Sequence, residues 1–342
     1  MEKSLFIGID FSKKTFDVSV IHQSNLQAID YQQFENSKDG CISLLKWIKT
    51  LTKEPGSNWL FCGEHTGLYS ICLSEFLVKK DLFIWLENPL QIKQSCGIRR
   101  DKNDKIDSRE IAFYAYRFQD KSRAYCLPDK ALKSLELLLS FRERLVSNKR
   151  TLLVSSVEIR RVMKQYATAR FIYEQSIKDI ERINKEIKEV EKRMLKQIEN
   201  DENLQENYEL VSSIKGVALI NTVAILVATQ NFTRFENSRQ FACYTGMAPF
   251  GKQSGTSINT KPHVSRLADK KIKVLLTQAA KCAIRHDSNI RHYYERKLAE
   301  GKNEWLITNN IRNKLIHRIF AIVRNKRLYQ VDYINFLDKA MA

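Results

Sequence analysis

An α/β domain, a long helical pair and a second, mainly helical domain are predicted by three features of this 342-residue chain. Short apolar runs alternate with helix-spaced segments over roughly the first 125 residues, the pattern of a sheet with helices packed on it. From about residue 130 to 200 there is no glycine, and apolar residues recur at three-four spacing. The remainder is again helical in pattern and strongly basic. The predicted domains span 1–128, 129–203 and 204–342.

In the first domain, LFIGID is a short apolar strand, and FDVSVIH follows it across the polar turn 12–14 as a hairpin partner. The segment DGCISLLKWIKTL, about 39–52, carries helical spacing. WLFCGE, 59–64, reads as a third buried strand, LYSICLSEFLVKK as a helix, and DLFIWLENP as a strand stopped by Pro89. In the second, KALKSLELLLSFRERLVSNKRTLL predicts one long amphipathic helix and IKDIERINKEIKEVEKRMLKQI another, turning back near residues 166–171. Ile180, Ile183, Ile187, Val190 and Met194 make a coiled-coil seam in the latter, with Glu and Lys between them. In the third, the run Ile214-Lys215-Gly216-Val217-Ala218 joins two apolar helical stretches. It reads either as a tight helix–helix turn or as a helix-hairpin-helix turn whose backbone N–H groups hold a phosphate.

The charge is uneven. The chain carries 57 Lys and Arg against 39 Asp and Glu, a formal net charge of +18. The span 261–327 alone holds 17 Lys and Arg against 5 Asp and Glu, so two thirds of the surplus sits there. A concentrated basic surface favours an acidic polymer, because neutralising phosphates releases counterions. Seven cysteines form no CxxC pair, which excludes a zinc ribbon and a disulfide framework and predicts reduced thiols. The brief apolar run at the start is broken by Asp10, which argues against a signal peptide, and no apolar stretch is long enough for a spanning helix.

Asp10 and Glu64 each end an apolar strand, where a charge packs poorly and faces a cleft instead. Asp104 and Asp107 are three apart and share a face if helical. Four such carboxylates make an oxygen-rich site for hard divalent cations, which promote in-line displacement at phosphorus. Spacing alone does not choose this pair, since Asp101 and Glu110 extend the same ladder. Ser254 lies in a predicted turn between Gly251 and Gly255, beside Lys252, and is placed to approach a phosphate backbone. No histidine makes an evident triad with it, His263 being nine residues on, which argues against an acyl hydrolase.

The segments GIDFSKKTFDVSV, GEHTGLYS, NPLQIK and RRDKNDKIDSREIA, then LVSSIKGVALINTVAIL, RQFACYTGMAPFGKQSG and HDSNIRHYYERKLAEGK, occur in an order that resembles the DEDD-type insertion-sequence transposases related to the Piv site-specific invertase, also described as bridge-RNA-guided recombinases. The resemblance covers nearly the whole chain. It implies a RuvC-like, RNase-H fold for the first domain, with Asp10, Glu64, Asp104 and Asp107 as Mg²⁺ ligands in preference to Asp101 and Glu110. It implies a transposase domain at the C-terminus whose Ser254 becomes joined to a DNA phosphate. Donor and target DNA, a structured guide RNA, and a homo-oligomer (a dimer, or a tetramer on DNA) are its implied partners, with no membrane. An active site shared between protomers and a cytoplasmic, nucleoid-associated location in a prokaryote follow from the same likeness. Lys252, Gln253, Lys261, Arg266, Lys270, Lys271 and Lys273 are the expected nucleic-acid contacts. A metal-dependent nuclease or resolvase acting through water, and a non-catalytic RNA-binding protein, are the alternatives.

Three positions depart from the family pattern. The usual K-T-D reads Lys102-Asn103-Asp104, the alanine after the last Asp is Ser108, and a usual Gly-Asn is Ala268-Asp269.

Overall fold

A computed structural model describes residues 3–65, 67–97, 103–254, 258–264 and 268–331, the side chains of 252–254 and 258–263 excepted. The chain divides into two compact units, Met1–Leu127 and Pro128–Ala342.

The first unit is built on a five-stranded sheet of order β3-β2-β1-β4-β5. Strands β1 (Leu5–Phe11), β2 (Thr15–His22) and β3 (Asn25–Glu35) form an antiparallel meander. Strands β4 (Trp59–Glu64) and β5 (Ile84–Glu87) then add in parallel to β1. Helices cover both faces, so β1 and β4 are apolar on both sides. Leu5, Ile7, Ile9, Val18, Val20 and Phe61 pack against helices α1 (Lys38–Leu51) and α2 (Ile71–Val78). On the opposite face Phe6, Leu60, Cys62 and Trp85 pack against α3 (Pro89–Ser95) and α4 (Asp104–Arg117).

Three local readings change. The sequence shows no third meander strand, yet β3 is 11 residues long; it is an edge strand, mostly exposed, so it needs little apolar patterning. The strand expected over 81–89 is only Ile84–Glu87, and Pro89 opens α3, where its missing N–H is harmless and Asn88 caps the helix. Helix α2 covers only the middle of its predicted segment.

The second unit begins with helices α5 (Lys130–Val162) and α6 (Ala167–Glu199), each 33 residues and so roughly 50 Å long. Ile183, Ile187, Val190 and Met194 of α6 are buried in one cluster with Leu132, Leu135 and Leu145 of α5. Arg142 pairs with Glu191 across the two at 2.7 Å. That cluster continues into α7 (Glu202–Ser212) and α8 (Leu219–Thr229), so the long helical pair shares a core with the two shorter helices.

Between α7 and α8, Gly216 has a φ of 95°, and a Cβ there would lie 2.5 Å from the Ala279 carbonyl oxygen. Only glycine allows this turn and this approach. Helix α9 (Ser238–Tyr244), the hairpin of β6 (Pro249–Ser254) and β7 (Ile258–Val264), and helices α10 (Lys270–His286), α11 (Ser288–Ala299) and α12 (Glu304–Asn325) complete the unit. Among the described residues no helix is long and apolar enough to cross a membrane.

Candidate active site

Strand pairing lines up four carboxylates. Asp10 in β1 stands opposite Asp17 in β2. On the other side the β1/β4 register ends at Ile9 opposite Gly63, which sets Asp10 and Glu64, one residue further, side by side. Glu64 is in turn opposite Glu87 in β5. Residues directly opposite share a face of the sheet, with neighbouring strands about 4.8 Å apart. Asp17, Asp10, Glu64 and Glu87 therefore form one row at one end of the sheet.

Helix α4 brings the other two acids. Gly8 lies two residues before Asp10 and on the same face; a Cβ there would sit 2.1 Å from the Ser108 carbonyl oxygen and 2.2 Å from the Ala112 nitrogen. The glycine lets the helix lie directly on β1, with Asp104 and Asp107 in its first turn. Their carboxylates are favoured there by the helix dipole. The Asn103 side chain caps that turn, accepting from the Ile106 N–H at 2.8 Å. Asn substitutes well for the family's threonine in this role. Ser108 meets Ser19 of β2 in a buried hydrogen bond of 2.9 Å, so the hydroxyl that replaces the family's alanine has a partner.

The electrostatics show the four expected acids near one another. Asp10 is pushed up to about 7, first by burial, then by Asp107, Asp104, Glu64 and Asp17. Among the described residues, however, no group of three or more His, Cys, Asp or Glu is placed to hold a metal ion as it stands. The quartet is gathered to electrostatic range, not to coordination distance.

Two acids of the row escaped the sequence reading. Glu87 closes an apolar strand just as Glu64 does, and the same rule would have found it. It accepts from the Asn88 N–H at 2.6 Å and from the Tyr114 hydroxyl at 3.4 Å. Asp17 becomes visible only when the hairpin register is counted.

In the second unit Ser254 is the last residue of β6, paired with Ile258 across an antiparallel hairpin, where the sequence suggested a turn. Lys252, Gln253 and Lys261 are also in this hairpin, their side chains outside the described residues; Arg266 lies wholly outside them. Lys270, Lys271 and Lys273 open α10. Lys271 pairs with Glu143 of α5 at 2.6 Å. Lys273 reaches the Gly246 carbonyl at 3.4 Å, and Asn309 of α12 donates to the Met247 carbonyl at 3.1 Å. Arg312, only 8% exposed, donates to Asn309 and to Thr277. Two helices thus hold the carbonyls just ahead of the serine's strand, a support that sequence reasoning missed. Asp269, one residue of the third departure from the family pattern, caps α10, accepting from the Lys271 and Ile272 N–H groups at 2.9 and 3.0 Å.

Comparison with known proteins agrees in both halves. Residues 7–167 match the family model DEDD_Tnp_IS110, described as "Transposase". Residues 208–295 match the model described as "Transposase IS116/IS110/IS902 family". The chain is similar to the pilin gene-inverting protein of Moraxella bovis, 26% identical over 331 residues, which covers 94% of this chain and 96% of that one. The pilin gene-inverting protein of Moraxella lacunata is similar to the same extent. A 43.6 kDa protein of insertion element IS110 from Streptomyces coelicolor is 29% identical over 121 residues, 35% of this chain and 30% of that one.

Proposed function

Because the chain belongs to the IS110-type DEDD transposases and is a DNA recombinase with an RNase-H-like first unit, we propose that it cuts and rejoins DNA strands with the Ser254 hydroxyl as nucleophile and Asp10, Glu64, Asp104 and Asp107 as the acids that hold Mg²⁺. The observation that carries the reading is the row of carboxylates across paired strands, closed by the first turn of α4.

In chemistry, though not yet in spacing, the donors fit a hard divalent cation, which would draw the quartet together. All are carboxylate oxygens, and the burial and then the like-charge repulsion that raise Asp10 are what a cation offsets. When bound, the ion supplies charge neutralisation at the scissile phosphate and polarises it. The serine oxygen forms a bond to phosphorus, the bond from phosphorus to the leaving sugar oxygen breaks, and a proton lost by the hydroxyl is balanced by one gained at that oxygen. One phosphoester replaces another, so the energy needed to rejoin the strand is kept in the protein–DNA link. Lys252, Gln253, Lys261, Arg266, Lys270 and Lys273 flank the serine in sequence and supply phosphate contacts; Lys271 does so by exchanging Glu143 for phosphate. A structured RNA that pairs with donor and target supplies sequence choice, and a homo-oligomer brings the two units together on DNA.

The test is covalent capture on a cognate DNA substrate. Wild-type protein is expected to yield a protein–DNA adduct that Ser254→Ala does not form. An adduct of equal yield from the variant excludes the serine mechanism, and free cleaved ends from both proteins favour attack by water.

A further inference from the structure

Asp17 is only 1% exposed. Its Oδ1 accepts from the Tyr31 hydroxyl at 2.5 Å, and its two carboxylate oxygens accept from Gln33 Nε2 at 3.2 and 3.1 Å. Both donors are neutral, and no Lys, Arg or His among the described residues forms an ion pair with it. It stands directly opposite Asp10 and contributes to the repulsion felt there. The hydrogen bond to Asp17 is the main reason the Tyr31 phenol is pushed up to about 12. The ring of Tyr31 also carries Lys105, whose ammonium lies 5.0 Å from its centroid, between Asp104 and Asp107 in the sequence.

Packing does not explain this choice. An asparagine would fill the same space, and its single oxygen could still accept from Tyr31, so shape alone does not call for a carboxylate. A buried carboxylate is costly to hold, and Asp17 stands directly opposite a second acid, Asp10. Positive charge entering beside Asp10 and Asp17 would stabilise both carboxylates.

We propose that Asp17 is a charge-supporting residue of the candidate site: buried beside Asp10 on the neighbouring strand and fixed by Tyr31 and Gln33, it does not touch the ion but strengthens the hold of the carboxylate quartet on a divalent cation. The inference rests on the quartet being the cation site. Supporting partners of this kind are worth about tenfold or more in metal affinity.

The experiment is direct binding of Mn²⁺ alone to the full-length protein, followed by electron paramagnetic resonance, with thermal melting of each metal-free variant beside it. Asp17→Asn is expected to weaken Mn²⁺ binding about tenfold while the metal-free variant melts no lower than the metal-free wild type. Tyr31→Phe, which removes one donor but keeps the carboxylate, is expected to weaken binding by a smaller factor. Unchanged Mn²⁺ affinity in Asp17→Asn, or a loss that only tracks a lower melting temperature, overturns the proposal. If Asp17→Asn does not fold, Tyr31→Phe decides, and wild-type affinity there overturns it. Asp10→Asn separates the two readings. Loss of binding in Asp10→Asn with full binding in Asp17→Asn sinks only the role of Asp17. Wild-type binding in Asp10→Asn sinks the cation site and this inference with it.

Discussion

Asp10 ties the site's chemistry to the stability of the protein. Its carboxyl stands at about 7 in the folded chain, against roughly 3.9 when unfolded. Between those values the folded protein keeps a proton that the unfolded chain has released. Stability from this group is therefore complete below about pH 4, falls as pH rises through the window, and is gone above about 7. Urea unfolding of metal-free protein from pH 5 to 8 is expected to show this decline in the wild type and a flatter profile in Asp10→Asn. Equal slopes for the two proteins would contradict it. The three departures from the family pattern are intelligible at the same scale. Asn103 and Asp269 are helix caps, and Ser108 gains Ser19 as a partner, so each change keeps its neighbour's hydrogen bonds intact.

Among the elements, α4 on β1 is the contact the site depends on. Gly8→Ala places a methyl group against backbone atoms of Ser108 and Ala112 that have no rotamer to escape into. The helix must lift, at about 1–3 kcal/mol, carrying Asp104 and Asp107 away from Asp10. Strand transfer is expected to fall at least about a hundredfold, far beyond what the lowered melting temperature explains, since a 1 Å misplacement is that costly. Retained activity with only a lower melting temperature would show that the helix's seating does not set the geometry.

The legibility of the elements follows their burial. Strands β1 and β4 were evident because helices cover both their faces, leaving unbroken apolar runs ended by an acid. β3 was hidden because an edge strand of Gln, Asp and Tyr looks like loop. Asp17 was hidden because it sits inside a strand, and only pairing reveals its neighbour. Ser254 read as a turn because glycines flank it, although β6 extends through it.

For the whole molecule, the boundary at 127/128 separates complete cores. Among the described residues, the two clusters of the first unit run from Leu5 to Tyr125, and those of the second begin at Ala131. A fragment of residues 1–127 is therefore expected to melt cooperatively by itself and to be protected against proteolysis. Calorimetry showing no transition for it would mean that the second unit is needed to complete the fold. The basic surplus belongs to the second unit and the acids of the candidate site to the first, so each half is legible by a different property: one by net charge, the other by motif.

The ladder of backbone hydrogen bonds through β2, β1, β4 and β5 works as a ruler for the acids it carries. Spacing set by strand pairing does not respond to insertions or swaps in surface loops. If the row is the reactive centre proposed above, that centre can stay constant while everything that chooses a target diverges around it. New specificity in relatives of this chain should therefore be sought in the parts that grip nucleic acid, and a sheet altered along this row should abolish reaction at every target alike.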